Sequence, residues 1–509
     1  MPDQPGTTPV VGLPGGPSRS PSHARADTRA RRPPRRSRDA AFGPAAQVAA
    51  AIAGSLVLGA ALGQTDQVFV ALGAVGALAL VALGFLRPAL FLSAVLIIRP
   101  LLDEISTKTV GIPGANAAGA VALLVILLGF ALVLRKNNVM STPPAVGWVF
   151  VCIITAGASL LAVANFGATV GFDPIADAIR VFSAAAIFFL AANVFATEQR
   201  VRRILIVAGL SGVIPAVWGL IEWPTLQTTI YSIDIARVSG PFVGPNPLGQ
   251  FLAITILILV GMPKGWLSTK VRVAALIPQL ICIVPTYSRV GWIMLVLGLA
   301  ILEWRHRKHL VIGMVVVVAS IVLFVPSVHG RLLPSDTPTP GEAPTYESFG
   351  WRFDNWGTLL QLWTDRPFTG YGTKTTIYVN PRRTVFHELA PDGGFEAHNS
   401  VVRILVEGGI ALLIGYVAFA VLLARSLRRM RKARWRLQPV ARLLSTIWLL
   451  VLIVAIGTDD PFDNTAVLFL LFTLTGAVEG TYRLQRAHST SGSEAVSPPL
   501  YLPARPRTS

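Results

Sequence analysis

Long apolar runs recur along almost the whole chain, and they restrict its possible folds more than any other feature. A helix needs roughly 20 apolar residues to cross the hydrocarbon core of a bilayer. About fourteen runs are candidates, and they cover residues 44–63, 67–84, 87–99, 115–135, 145–165, 175–196, 203–223, 245–262, 271–286, 290–303, 309–326, 400–424, 442–458 and 464–482. A mean hydropathy of +0.60 with only 14% charged residues also argues against a soluble protein of this length. The sequence predicts an all-α bundle of about 12–14 transmembrane helices within residues 44–486.

The charges between the runs predict how the bundle crosses the membrane. With a cytoplasmic N-terminus, Arg and Lys fall in the inward connections, while Asp and Glu mark the outward ones. The stretch from Arg425 to Arg442 holds eight basic residues and no acidic one. This pattern predicts cytoplasmic termini and a large extracytoplasmic loop at residues 327–399 that contains short helices. The net charge of +18 therefore reflects membrane topology, and we expect no nucleic-acid partner.

The two ends of the chain differ in composition from the apolar region between them. Residues 1–43 are rich in Pro, Gly, Ser and Arg, and residues 487–509 are rich in Ser and Pro. Such segments predict disordered cytoplasmic tails. Cys152 and Cys282 lie within apolar runs, which favours small core residues over a disulfide.

Two outward turns carry an Arg beside a helix start. Arg237 precedes the Gly- and Pro-rich turn 240–247, in which Asn246 is predicted to cap the helix that follows; an electropositive helix N-terminus favours an anion. Ser288 and Arg289 lie at the break between the short runs 271–286 and 290–303. A charge placed there is costly and commonly functional. The alternatives are a solvated Arg237 in a capped turn, and an Arg289 that reaches lipid phosphate.

The large loop predicts a helix of its own. Apolar side chains recur at helical spacing and indicate an amphipathic helix on the membrane surface that ends before Pro367: Phe353, Trp356, Leu360 and Trp363. Interfacial anchoring is the favoured interpretation of these side chains. Arg352 differs from them, because its guanidinium could reach inward to an anion.

The loop ends with a titratable residue beside a helix cap. Asn399 is a natural N-cap for the run 400–424, and His398 has a side chain whose ordinary pKa suits proton transfer near neutrality. A solvated loop His is the alternative. Two ion pairs, Arg403–Glu407 and Asp177–Arg180, are expected to stabilise packing. A metal site could be formed by His387, Glu388, Asp392 and His398, but their spacing matches no specific ligand pattern.

Taken in order, these segments resemble the O-antigen ligase and O-antigen polymerase superfamily. The resemblance rests on these residues in sequence: Arg237 with Gly244-Pro245-Asn246-Pro247, then Ser288-Arg289, then Arg352, Trp356 and Asp365-Arg366-Pro367 with Gly370-Tyr371-Gly372, and last His398-Asn399 followed by Gly409. The large outward loop also matches in position and size. The sequence departs from the family pattern at Leu412, where a second Gly is expected, and at Glu407-Gly408, where an apolar residue usually precedes the Gly.

The resemblance implies a reaction and a set of roles. A glycan on a polyprenyl diphosphate carrier is transferred with inversion to an acceptor hydroxyl at the outer face of the cytoplasmic membrane, with no metal or other cofactor. Diphosphate binding falls to Arg237, Arg289 and Arg352, and the general base is His398. Supporting roles fall to Asn246, Ser288, Asn399 and Glu407.

Several functions stay open at this stage. A lipid-anchored acceptor makes the protein a ligase, a growing glycan makes it a polymerase, and a protein Ser or Thr makes it an O-oligosaccharyltransferase. A secondary transporter would place ionisable groups and broken helices near the bilayer midplane, whereas here the ionisable groups lie at outer ends of the runs. A non-catalytic membrane scaffold is a further alternative.

Overall fold

The computed structural model describes residues 79–102, 117–135, 142–226, 237–302, 349–381, 396–457 and 461–490. Within these ranges the fold is all-α and has no strand. Six helices there are long and apolar enough to cross a membrane, judged by length and composition. These helices confirm the predicted all-α polytopic membrane fold. The runs 44–63 and 309–326, most of the run 67–84, much of the loop 327–399 and most of both tails lie outside the described residues.

The helices are numbered here in chain order. They are α1 (Pro88–Ile98), α2 (Ala117–Arg135), α3 (Pro143–Phe166), α4 (Asp173–Val194), α5 (Glu198–Leu210), α6 (Val213–Glu222), α7 (Pro245–Gly261), α8 (Thr269–Ile283), α9 (Arg289–Leu302), α10 (Phe349–Asp365), α11 (Thr376–Val379), α12 (Ser400–Lys432), α13 (Gln438–Gly457) and α14 (Thr465–Thr490). The predicted break between two short runs is confirmed by the end of α8 and the start of α9. Two boundaries differ from prediction: the run 203–223 is divided into α5 and α6, and α14 continues into the segment 487–509.

The most buried membrane helix is α14. In its apolar part, 94% of the residues are buried inside the bundle, since α4, α5 and α13 pack around it. Aromatic rings fill the space beside it, with the ring centroid of Trp148 lying 4.6 Å from that of Phe472 and 4.8 Å from that of Phe419. The indole N–H of Trp148 donates to the carbonyl oxygen of Val181 at 3.0 Å. This core fixes α3, α4, α12 and α14 against one another.

The membrane helix α12 is interrupted at Gly409. This residue has φ of 62° and ψ of −165°, a conformation that glycine adopts without steric cost. Segment 367–372 fills the break: Ile410 N donates to Pro367 O at 2.8 Å, and Tyr371 N donates to Val406 O at 2.8 Å. The interruption therefore leaves these backbone groups paired, as burial in a membrane requires.

The two ends of α12 differ in chemistry. Its first residue follows His398 and Asn399, whereas its last turns enter the basic connection to α13. The side chain of Asn399 donates to the carbonyl oxygen of Ile456, at the C-terminal end of α13, at 3.0 Å. The candidate residues of the loop and the basic connection therefore lie at opposite ends of this helix pair.

Candidate active site

The segment at Arg237 is held against the turn between α8 and α9. Val238 N donates to Pro285 O at 3.0 Å, and Arg237 Nε donates to Thr286 O at 3.1 Å. The same guanidinium donates through Nη2 to the side-chain oxygen of Asn246 at 2.8 Å. Three separated parts of the sequence thus meet around one half-buried cation.

The predicted cap at Asn246 is wrong. The helix α7 begins at Pro245 with Gly244 at the cap position, and no side chain caps it. Two prolines in the first turn lack N–H groups, so fewer donors there need a partner. The amide oxygen of Asn246 is therefore available to Arg237, which the sequence alone did not indicate.

Arg289 opens α9 beside the start of α7. The hydroxyl of the buried Ser288 accepts from Gly291 N at 3.2 Å, as a side-chain cap does. A Cβ on Gly291 would lie 2.7 Å from the carbonyl carbon of Gly249, so only glycine allows the two helices to pack this closely. Two electropositive N-termini therefore lie together with Arg237 and Arg289, an arrangement that favours anions.

His398 has an unusual backbone conformation, with φ of 46°. Only two other non-glycine residues among those described have positive φ: Tyr287, which directly precedes Ser288, and Lys374. Non-glycine residues in this region cost free energy and concentrate at functional sites. The conformation is stabilised on one side by Trp356, whose indole N–H donates to Ala397 O at 2.6 Å.

The predicted cap at Asn399 is confirmed. Its side-chain oxygen accepts from Val401 N at 2.9 Å and from Val402 N at 3.2 Å. Its amide nitrogen also binds the end of α13, at Ile456 O. Asn399 therefore fixes the start of α12 and, with it, the position of the preceding His398.

His398 is half-buried and lies close enough to Arg352 for the positive charge of that guanidinium to affect its pKa. Burial lowers the pKa of His398, and the charge of Arg352 lowers it further, to about 4. Both effects disfavour a charged imidazole. At neutral pH His398 is therefore a neutral imidazole, which can accept a proton.

The two tryptophans of α10 pack against other parts of the protein, whereas the sequence predicted that they anchor the helix at the membrane surface. Trp356 and Trp363 pack on a small apolar cluster formed by Leu359, Ala397, Val402 and Val406. Phe353 is 61% exposed, so the anchoring interpretation fits Phe353 better than the two tryptophans. The face of α10 that carries Trp356 supports the segment ending at His398.

The arginines Arg237 and Arg289 lie at the same end of the bundle as Arg352 and His398. Asn464, just before α14, donates through its side chain to Pro247 O in the first turn of α7 at 3.3 Å. The short connection before Asn464 comes from the end of α13, where Asn399 binds Ile456. Arg237 and Arg289 on one side, and Arg352 and His398 on the other, are thus linked through α13 and α14.

An ion-pair cluster that the sequence reasoning missed lies at this end as well. The predicted Asp177–Arg180 pair is confirmed, but Arg180 also pairs with Asp463, and Lys374 binds Asp463 at 2.8 Å. Burial alone would raise the pKa of Asp463, but the charges of Arg180 and Lys374 outweigh burial and hold it below the usual range. The available signal was weak: Asp177, Arg180 and Asp463 lie at outer ends of apolar runs, whereas Lys374 lies within the large loop.

The predicted Arg403–Glu407 pair is confirmed, with 3.2 Å between Arg403 Nη1 and Glu407 Oε2. The other carboxylate oxygen of Glu407 accepts from the hydroxyl of Thr376 at 2.9 Å. Glu407 is only 2% exposed and lies next to the break in α12. It joins α11 to α12 in a structural role.

Three of the four residues considered for a metal site, His387, Glu388 and Asp392, lie outside the described residues. In the described part of the chain, no three His, Cys, Asp or Glu side chains are grouped so that they could hold a metal ion.

One protein-family model matches a region of the chain that contains part of this site. No protein with a curated description matches the chain. Residues 274–417 match the family model described as O-antigen ligase, a family of ligase- and polymerase-type glycosyltransferases. The matched region contains Arg289, Arg352 and His398, and it begins after Arg237 and Asn246. This match supports membership of the O-antigen ligase superfamily through residues 274–417.

Proposed function

We propose that the protein transfers a glycan from a polyprenyl diphosphate carrier to an acceptor hydroxyl at the outer face of the cytoplasmic membrane. The observation that carries the proposal is a neutral His398 held beside Arg352, at the bundle end that also holds Arg237 and Arg289. A neutral base among fixed cations suits a reaction with an anionic leaving group.

The diphosphate leaving group explains the need for several arginines. When the glycan is transferred, the bond between its anomeric carbon and the diphosphate oxygen breaks, and the electron pair stays on the diphosphate. Guanidinium groups stabilise this charge, since their planar forks bind phosphate oxygens in pairs. We assign the diphosphate to Arg237 and Arg289, with Arg352 as a third contact on the side of His398.

The attack on the anomeric carbon requires a base. The acceptor oxygen forms the new bond to the anomeric carbon from the face opposite the diphosphate, and its proton passes to His398. Direct displacement inverts the configuration at that carbon. Asn399 and Trp356 hold the imidazole in place, while Ser288 and Asn246 support the arginines.

Donor binding would strengthen the base. Arg352 lowers the pKa of His398 while the site holds no anion. A bound diphosphate would offset this positive charge and raise the pKa of His398, while burial, the larger cause, would still hold it below its ordinary value. The base would thus gain strength when its substrate is present.

The charge pattern supports an outward-facing site. The basic connection after α12 lies at the opposite end of that helix from His398. Basic connections prefer the cytoplasmic side, and this preference supports an extracytoplasmic position for His398 and the large loop. The acceptor can be a lipid-anchored core, a growing glycan or a protein hydroxyl, and the assay below separates these cases.

The test uses the full-length protein in liposomes with a labelled polyprenyl diphosphate glycan. Transfer of label to one of the three acceptor classes is the expected result, and the acceptor that takes the label defines the activity. Movement of a labelled solute across the membrane, without any transfer, would instead support the transporter alternative and contradict the proposal.

A further inference from the structure

A groove opens between α9, α12 and α13 at the end of the bundle away from His398. Its volume is about 1130 Å³. One end of the groove is lined by four cationic side chains from the basic connection and the adjoining turns: Arg428, Arg431, Lys432 and Arg442. No Asp or Glu is among its lining residues. The groove is therefore strongly cationic at one end.

The length of the groove corresponds to half a bilayer. Along α12 it extends from Ala420 to Lys432, which is about 18 Å at 1.5 Å per residue. Along α13 it extends from Arg442 to Leu452, about 15 Å on the same basis. The hydrocarbon core of a bilayer is about 30 Å thick, so one leaflet occupies about half of it.

The chemistry changes along that length. Away from the cationic end, the groove is lined mostly by small or aliphatic side chains, such as Ala424, Leu427 and Leu449. Two hydroxyls, Ser445 and Thr446, lie within one turn of Arg442. A ligand that matches this gradient has an anionic head with hydroxyl or ester oxygens, and an apolar tail.

We propose that this groove binds an anionic phospholipid. Its phosphate lies among Arg428, Arg431 and Arg442, and its acyl chains lie along the apolar walls of α12 and α13. A soluble phosphate satisfies only the basic end and leaves the apolar walls uncovered. A neutral phospholipid covers the walls but pairs its phosphate with a positive group of its own. The site lies away from the candidate active site, and the proposal does not depend on the proposed function.

The first test measures binding by the full-length protein in a neutral detergent. Phosphatidylglycerol, phosphatidylcholine with the same acyl chains, or soluble glycerol phosphate is added, and Tm and retained lipid are measured by thermal unfolding and native mass spectrometry. Phosphatidylglycerol is expected to raise Tm and to stay bound, and the other two are not. An equal effect of phosphatidylcholine or of glycerol phosphate would overturn the proposal.

The second test removes the cations of the groove together. The triple variant Arg428→Gln, Arg431→Gln, Arg442→Gln is expected to bind phosphatidylglycerol at least about tenfold more weakly, because several charge-assisted bonds are lost. A matched control removes three nearby charges that do not line the groove: Arg425→Gln, Arg429→Gln, Arg434→Gln. Equal losses in the two triple variants would show attraction to basic charge in general and would overturn the site.

A third variant keeps all the charges. Ala424→Trp places a large ring in the apolar part of the groove, on a residue that is exposed in the structure and has room to change. Loss of phosphatidylglycerol binding with an unchanged Tm in the absence of lipid is the expected result. Unchanged lipid binding in this variant would show that the acyl chains lie elsewhere and would overturn the proposal.

Discussion

The indole N–H of Trp356 donates a hydrogen bond of 2.6 Å to the carbonyl oxygen of Ala397, the residue directly before His398. This bond joins α10 to the segment that carries the proposed base. In Trp356→Phe the ring still packs on α12, but the bond is lost. We expect kcat to fall by about two- to tenfold with little change in the KM for the donor, since one such bond contributes about 0.5–1.5 kcal/mol.

A matched control lies on the same helix. The indole of Trp363 donates in the same way to Pro367 O at 3.0 Å, a bond that does not involve the segment at His398. Trp363→Phe is therefore expected to lower Tm by a similar amount while changing kcat much less. Equal losses of kcat in the two variants would mean that the Trp356 bond contributes only to stability.

The charge of Arg352 predicts a specific pH dependence. In the donor-free protein, burial and Arg352 lower the pKa of His398 to about 4, so the imidazole stays neutral down to that pH. Because kcat/KM reports the free enzyme, it is expected to fall only as the pH approaches about 4. Arg352→Gln removes one of the two causes, so the acid limb of kcat/KM should move to higher pH.

The same argument predicts a difference between two kinetic constants of the wild type. Donor binding offsets the charge of Arg352, so the acid limb of kcat should lie at higher pH than that of kcat/KM. A pH–rate series on the wild type and on Arg352→Gln tests both statements. An acid limb that does not move in the variant would remove Arg352 from the neighbourhood of the base.

The contact between Arg237 and Asn246 predicts energetic coupling in donor binding. Asn246 holds the Arg237 guanidinium through a 2.8 Å hydrogen bond. Arg237→Ala should weaken donor binding strongly, and Asn246→Ala should weaken it less, by acting through Arg237. In a double-mutant cycle the second substitution should add little to the first. Fully additive effects on the donor Kd would show that Asn246 acts independently of Arg237.

The break in α12 predicts an unusually sensitive glycine. Gly409→Ala forces a side chain into a left-handed conformation and against the backbone of Phe368 and Thr369. Strained backbone of this kind costs about 1–3 kcal/mol, before the steric clash is added. Thermal unfolding in detergent should show a clear loss of stability. The control is Gly157→Ala in α3, where a Cβ meets nothing within 4 Å and no loss is expected.

Local signals in the sequence predicted the parts of the site that depend on neighbouring residues. Asn399 before an apolar run predicted a cap, and the polar residues 285–289 between two short runs predicted a break; both are confirmed. Apolar run length predicted the all-α membrane fold, because a bilayer-spanning chain without a closed barrel must be helical.

Contacts between distant segments could not be predicted in this way. Asn246 was expected to cap its own helix, because its binding to Arg237 depends on how the turn at Thr286 packs. Lys374 and Asp463 are 89 residues apart, and no periodicity connects them. The family resemblance drew attention to Gly370 and Gly409, but only the coordinates show one segment filling the break beside the other.

The most direct test of the account compares donor binding with glycan transfer in His398→Asn. Asn tolerates the left-handed backbone conformation that residue 398 adopts, so the surrounding loop should keep its structure. We predict an unchanged donor Kd and a transfer rate reduced by about 10²–10⁴-fold, the usual contribution of a general base. Transfer at the wild-type rate, with the donor bound normally, would contradict the assignment of His398 as the base.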